Sequence, residues 1–215
     1  MLHSGSALAA LNDTLHPFVS LGYTYDDNLL RLPEGYTAIA GGSDKITQGQ
    51  VGLLVERPFG RQKLTGSAKV SRVTFDRFDQ LDYNGKDFNG DLAWQLGNRW
   101  SGTLGGVYNQ TLTPFTDTVT NERNLRTTRR GYVTAAYRFH PSWQVRSSFT
   151  RNKYDYELVQ QRVNDREEEV VEFGGDYLAP SGSRIGLVAR RWTGSYENIR
   201  RFGNVVLAND LSRPS

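Results

Sequence analysis

Runs that are apolar at every second residue, separated by gaps that alternate between short and long, constrain this chain more than any other feature of its sequence. Successive side chains of a strand point to opposite faces, so each run has one greasy face and one wet face. In the run 47–56, Val51, Leu53 and Val55 oppose Gln48, Gln50 and Glu56; in 19–25, Val19, Leu21, Tyr23 and Tyr25 oppose Ser20, Gly22 and Thr24. The run 63–71 sets Leu64, Ala68 and Val70 against Lys63, Thr65, Ser67 and Lys69. Six more follow at 87–96, 100–109, 131–139, 143–152, 170–178 and 184–190. Most are near the 9–11 residues that a tilted strand needs to cross a bilayer.

The gaps supply direction. Segments 57–61, 97–99, 140–142 and 179–183 are tight connections rich in residues that preset or permit turn dihedrals. Between them lie polar stretches at 26–44, 75–86, 110–130 and 155–169, and the tail after Trp192. Short turns opposite long loops are the asymmetry of a bacterial outer-membrane barrel, with the first strand running outward from the periplasm. Trp100, Phe139, Trp143 and Tyr177 fall beside the short turns, where membrane-interface aromatics belong. The pattern predicts an all-β, antiparallel up-and-down transmembrane β-barrel in the bacterial outer membrane of a Gram-negative cell.

Composition is compatible with that class. A mean hydropathy of −0.57 leaves no stretch approaching the length of a transmembrane helix, a test that a barrel with a polar lumen escapes. Cysteine is absent, which excludes disulfides and thiolate metal sites. The 26 basic and 23 acidic residues are interspersed, with no basic stripe or nucleic-acid-binding motif, so no nucleic-acid partner is expected.

Residues 1–15 form the N-terminal unit of this reading and 16–215 the barrel segment. Ser6-Ala7-Leu8-Ala9-Ala10 has the small-residue pattern of a signal-peptide cleavage site without the preceding basic and apolar regions. Nine runs is an odd number, whereas bacterial single-chain barrels have even strand counts. The expectation is therefore an incomplete, N-terminal half of a larger barrel.

The segments Tyr23-Thr24-Tyr25-Asp26-Asp27-Asn28-Leu29, Gly60-Arg61-Gln62-Lys63-Leu64, Phe75-Asp76-Arg77-Phe78, Leu81-Asp82-Tyr83 and Trp94-Gln95-Leu96-Gly97-Asn98 resemble the EpsL-type outer-membrane porins. These barrels are associated with exopolysaccharide biosynthesis and exosortase (PEP-CTERM) systems. The resemblance runs from about residue 16 onward. It implies an outer-membrane barrel for exopolysaccharide export, acting as a polar conduit or a scaffold. Its implied partners are outer-membrane lipid and lipopolysaccharide, exopolysaccharide and polysaccharide-export proteins. It implies no catalytic residues and no cofactor.

Alternation places Lys63, Lys69, Asp87, Asp91, Tyr132, Arg138, Arg146, Glu172, Asp176, Arg184 and Arg190 on the polar, lumen-facing side. They read either as a charge-balanced wall or as contacts for a hydrated, anionic glycan, with Tyr132 offering a stacking face. Counting from the short turns pairs Glu56 with Lys63 and Glu172 with Arg190. Asp26-Asp27-Asn28 offers oxygen donors but lacks the spacing of a calcium loop, so no metal site is expected. Arg123, Arg126, Arg129 and Arg130 form a basic cluster that reads as a lipopolysaccharide or polymer contact, or as a solvated loop base. Arg166-Glu167-Glu168-Glu169 reads as a hydrated rim. His3, His16 and His140 have no nucleophile motif or zinc spacing, so no enzyme is expected. The competing readings are a general porin and a soluble β-sandwich adhesin or carbohydrate-binding module.

Overall fold

The computed structural model describes residues 14–31, 42–115 and 122–198, and the backbone of three short strands beyond them. The Ser6–Ala10 pattern lies outside the described residues. Nine antiparallel strands run up and down in one open sheet: β1 (Leu15–Asp26), β2 (Asp44–Phe59), β3 (Gln62–Phe75), β4 (Tyr83–Leu96), β5 (Trp100–Leu112), β6 (Leu125–His140), β7 (Trp143–Tyr156), β8 (Arg166–Leu178) and β9 (Arg184–Tyr196). Each pairs with the next in sequence, as hairpin connections allow. Short 3-10 turns at Asp79–Leu81 and Val159–Asn164 interrupt two of the long loops.

The tail departs from the loop expected there. β10 (Arg201–Phe202) pairs with β11 (Val205–Val206), and β12 (Asp210–Pro214) adds to β9, with Asp210 opposite Ser195 and Pro214 opposite Arg191. This tenth strand has no apolar alternation; it satisfies the free backbone groups of the β9 edge. The sheet order ends at β1 on one side and β12 on the other.

The short turns at 97–99 and 179–183 stand where the sequence predicts them, whereas the expected turn 57–61 narrows to Gly60-Arg61, because β2 runs on through Pro58, opposite Lys63, to Phe59. Gly60 (φ 63°) opens the two-residue β2–β3 turn, the left-handed geometry of a type II′ hairpin. At their loop ends, however, the strands run several residues past the predicted limits: β6 begins at Leu125 rather than 131, and β8 at Arg166 rather than 170. Backbone pairing continues there while both faces become charged, so the alternation that marks a strand disappears although the ladder does not. Phe139 stays exposed beside the β6–β7 turn. A β-bulge between Arg138 and His140 leaves it without a cross-strand partner, outside regular alternation.

The register carries the two faces across the sheet. Val51 lies opposite Val19 and Val70, Phe88 opposite Ala68 and Tyr108, and Phe149 opposite Val133 and Val171. This outward face is apolar and uncovered: Val19 is 83% exposed, Leu21 80% and Leu187 86%. Beside the short turns, Trp100 stacks on Tyr137 with centroids 4.6 Å apart, and Trp143 meets Tyr177 edge-on at 5.1 Å.

Buried apolar side chains gather instead at the long-loop rim. Leu29, Leu30, Phe78, Leu81 and Phe115 from three loops pack with Val73 and Phe75, which lie on the polar side of β3. Buried Asp44 ties the cluster together by accepting hydrogen bonds from the backbone N–H groups of Lys45 (2.7 Å), Arg77 (2.9 Å) and Phe78 (3.1 Å). Asp82 accepts from the Phe75 N–H at 2.8 Å. The predicted loop 75–86 is therefore an anchored cap that enters β4 at Tyr83.

Candidate functional site: the polar concave face

The opposite face of the sheet is polar and curls into a trough. A concavity of about 780 Å³ is lined by side chains from β4 to β9, among them Gln95, Thr103, Thr134, Arg146, Glu172 and Arg184. It joins a second hollow of about 430 Å³ through the shared Arg130, Ser148, Thr150 and Glu172.

The register places Lys63, Lys69, Asp87, Asp91, Tyr132, Arg138, Arg146, Glu172, Asp176, Arg184 and Arg190 on this one face. Most are tied into cross-strand bonds. Lys63 meets Glu56 at 2.6 Å and Arg190 meets Glu172 at 2.6 Å, the two ion pairs that turn counting predicts. Lys69 lies 3.6 Å from Asp87, which also accepts from Asn109 at 3.1 Å. Glu172 accepts from the Ser148 hydroxyl at 3.1 Å. Asp176, only 2% exposed, accepts from Gln144 at 2.9 Å and Arg146 at 3.2 Å.

Tyr132 donates its hydroxyl hydrogen bond to Asp91 across the intervening strand β5. The residue between them in the register is Gly105, where an added Cβ would collide with both side chains. The Arg130 guanidinium lies over the Tyr132 ring, 5.1 Å from its centroid. Among the described residues, Arg130, Arg138 and Arg184 have no carboxylate within ion-pair distance. The face therefore carries paired charges that tie neighbouring strands and a few exposed guanidiniums without an ion-pair partner among the described residues.

The basic cluster is split by alternation rather than assembled. Arg126 and Arg130 share the concave face, whereas Arg129 points outward and pairs with Asp155 at 2.9 Å. Arg123 pairs with Glu157 at 2.7 Å. The acidic run divides in the same way: Glu168 meets Arg166 at 2.7 Å, while Glu167 reaches outward-facing Arg151 at 2.6 Å. Instead of forming a loose rim, these residues extend β8.

Asp26 closes a turn rather than gathering ligands. It accepts from the Asn28 N–H at 3.0 Å and pairs with Arg31 at 2.9 Å, whose backbone is left-handed (φ 54°). Among the described residues no group of three or more His, Asp or Glu side chains is arranged to hold a metal. His140 Nδ1 accepts from the Ser142 N–H at 3.1 Å within the β6–β7 turn. At the loop end, burial pushes the Asp165 carboxyl above its ordinary value, with the Tyr156 N–H bond opposing that shift.

Trp192 belongs to the concave face but not to the predicted set. Ending the last run at Arg190 excludes it, although it stands two residues further along the same polar side. It lies in register with Val170, and its ring covers Gly194. The overlooked signal is a large aromatic on the wet side of an alternating strand.

Among the described residues no helix is long and apolar enough to cross a membrane, a test that says nothing about strands. The chain matches no protein-family model and no curated protein.

Proposed function

We propose that the chain is the membrane-embedded sheet of an outer-membrane β-barrel whose concave face lines a hydrated path for a polar solute. The outward face carries this reading. Exposed Val19, Leu21, Val51, Leu104, Phe173, Ile185 and Leu187 form an apolar surface far more continuous than scattered surface residues of a water-soluble domain. From Trp100 to Tyr108 the apolar stretch measures about 27 Å along the strand, which at barrel tilt covers about 20 Å of membrane thickness. At the loop end of this stretch the same face turns ionic, with Arg129 opposite Tyr108 and Arg151, Lys153 and Glu167 on the strands beyond, where headgroups and lipopolysaccharide phosphates would lie.

A β-sandwich would bury such a face beneath a second sheet. Among the described residues, the apolar face has no such cover. The membrane reading does require partners for the outer edges of β1 and β12, because unpaired backbone groups in hydrocarbon cost several kcal/mol each. Further strands or another copy of the chain would supply them. Export of an exopolysaccharide is the solute assignment that the EpsL-type resemblance supports, and a polar trough with exposed arginines is compatible with it.

Refolding from urea into phosphatidylcholine vesicles tests the proposal. Co-flotation with vesicles and resistance to alkaline carbonate extraction are the expected results. Recovery of folded monomer in detergent-free buffer would overturn the membrane assignment.

A further inference from the structure

We infer that the hollow between β6 and β9 is a binding subsite for an acidic pyranose unit, with Trp192 as its stacking platform and Arg130 as its carboxylate contact. The inference rests on the reading of the concave face as a solute path and names the solute class that this part of the path would hold.

Alternation makes Trp192 anomalous. The other tryptophans, Trp94, Trp100 and Trp143, share the register of the outward face, where lipid would surround them. Trp192 lies on the wet side and lines the 430 Å³ hollow. Two carbons of its six-membered ring lie 2.9 and 3.0 Å from the position that a Gly194 Cβ would occupy, closer than van der Waals contact, so the ring fills space that only a residue without a side chain leaves open. The ring therefore packs at Gly194 and also borders the hollow. An aromatic face presents negative charge, and the axial C–H bonds of a pyranose present a weakly positive, apolar surface of matching size.

The rest of the hollow supplies what a sugar needs around that face. Thr150 and Val170 continue the row from Trp192 and form a low floor. Asn152 brings an amide on one side, and the Arg190–Glu172 pair brings fixed donors and acceptors on the other. Arg130 lines the same hollow, with its guanidinium held over the Tyr132 ring and, among the described residues, no carboxylate partner. A planar guanidinium so placed is a bidentate site for a carboxylate. Glu172 is already neutralised by Arg190, so the local balance favours an anionic over a neutral sugar. The hollow is within the range of small-ligand sites.

The test uses a W94F/W100F/W143F protein folded in detergent micelles, leaving Trp192 as the reporter, titrated with oligogalacturonate and with neutral malto-oligosaccharide. A saturable change in Trp192 emission is expected with both, with roughly tenfold tighter binding of the acidic oligomer, the equivalent of one charge-assisted contact. Arg130→Gln should bring the acidic oligomer to the neutral level, and calorimetry on Trp192→Ala should show loss of binding of both. No saturable response, or binding indifferent to Arg130→Gln and Trp192→Ala, would overturn the inference. Because the titration is made in micelles and vesicle insertion is read separately by flotation, binding without insertion would refute the membrane reading alone. Insertion without binding would refute this subsite alone.

Discussion

Tyr132 on β6 and Asp91 on β4 are joined by a hydrogen bond that passes over Gly105 on the strand between them. The bond exists because Gly105 leaves the floor open: a Cβ there would strike the Asp91 carboxylate and the Tyr132 ring. Gly105→Ala should therefore push both side chains off their positions and cost about 1–3 kcal/mol. Urea unfolding in vesicles checks this. Gly106→Ala is the control, because its Cβ would make only an ordinary contact on the other face.

Adjacent residues on β2 test the facing of the sheet. Val51 points to the apolar side and Gln50 to the concave side. Val51→Arg should cost about 2–4 kcal/mol if it enters hydrocarbon near its midplane. Gln50→Arg, one residue away, should change folding free energy by less than about 1 kcal/mol, since it meets water. Equal effects from the two substitutions would contradict the assignment.

The long-loop rim has its own core. Leu81 is fully buried among Val73, Phe75 and Phe78. Leu81→Ala should destabilise the cap by about 2–5 kcal/mol. Hydrogen exchange should locate the loss at the rim, with amides near the Gly60 and Gly97 turns still protected. Uniform loss of protection along β3 and β4 would show instead that cap and sheet unfold as one.

Asp165 gives the rim a pH dependence. Burial raises its folded-state pKa above the unfolded value, so its contribution is fully present below the unfolded pKa and is lost as pH rises through the folded one. Ionisation at neutral pH is thus a local cost. Asp165→Asn keeps an oxygen for the Tyr156 N–H. It should slow exchange of that amide at pH 7 and flatten its pH profile between the two pKa values. Faster exchange at pH 7 would mean that the ionised carboxylate is the better acceptor.

The order of the first nine strands, most of the short turns and the facing of the strand centres are legible in the sequence, because one face there is apolar and the period of two is visible; the tenth strand, which has no such alternation, is not. Legibility ended where both faces are charged. Arg129 and Glu167 are strand residues that look like loop, since their outward positions stand above the apolar band. Trp192 was missed for a related reason: the apolar partners that would have extended β9 past Arg190 give way to Arg191 and Thr193. The cap was hidden because Leu29, Leu81 and Phe115 are distant in sequence and gather only after the strands are in register. Among the site residues, ion pairs near the turns could be counted, as Glu56–Lys63 and Glu172–Arg190 were. The Tyr132–Asp91 bond could not, because it skips a strand.

The facing of the tryptophans tests the central claim most directly. Single-tryptophan proteins carrying only Trp100, only Trp143 or only Trp192 would be folded into vesicles of brominated phosphatidylcholine and titrated with aqueous iodide. The account predicts that brominated lipid quenches Trp100 and Trp143 strongly and leaves Trp192 bright, whereas iodide quenches Trp192. Quenching of all three by iodide alone would place the apolar face in water and contradict a membrane-embedded sheet.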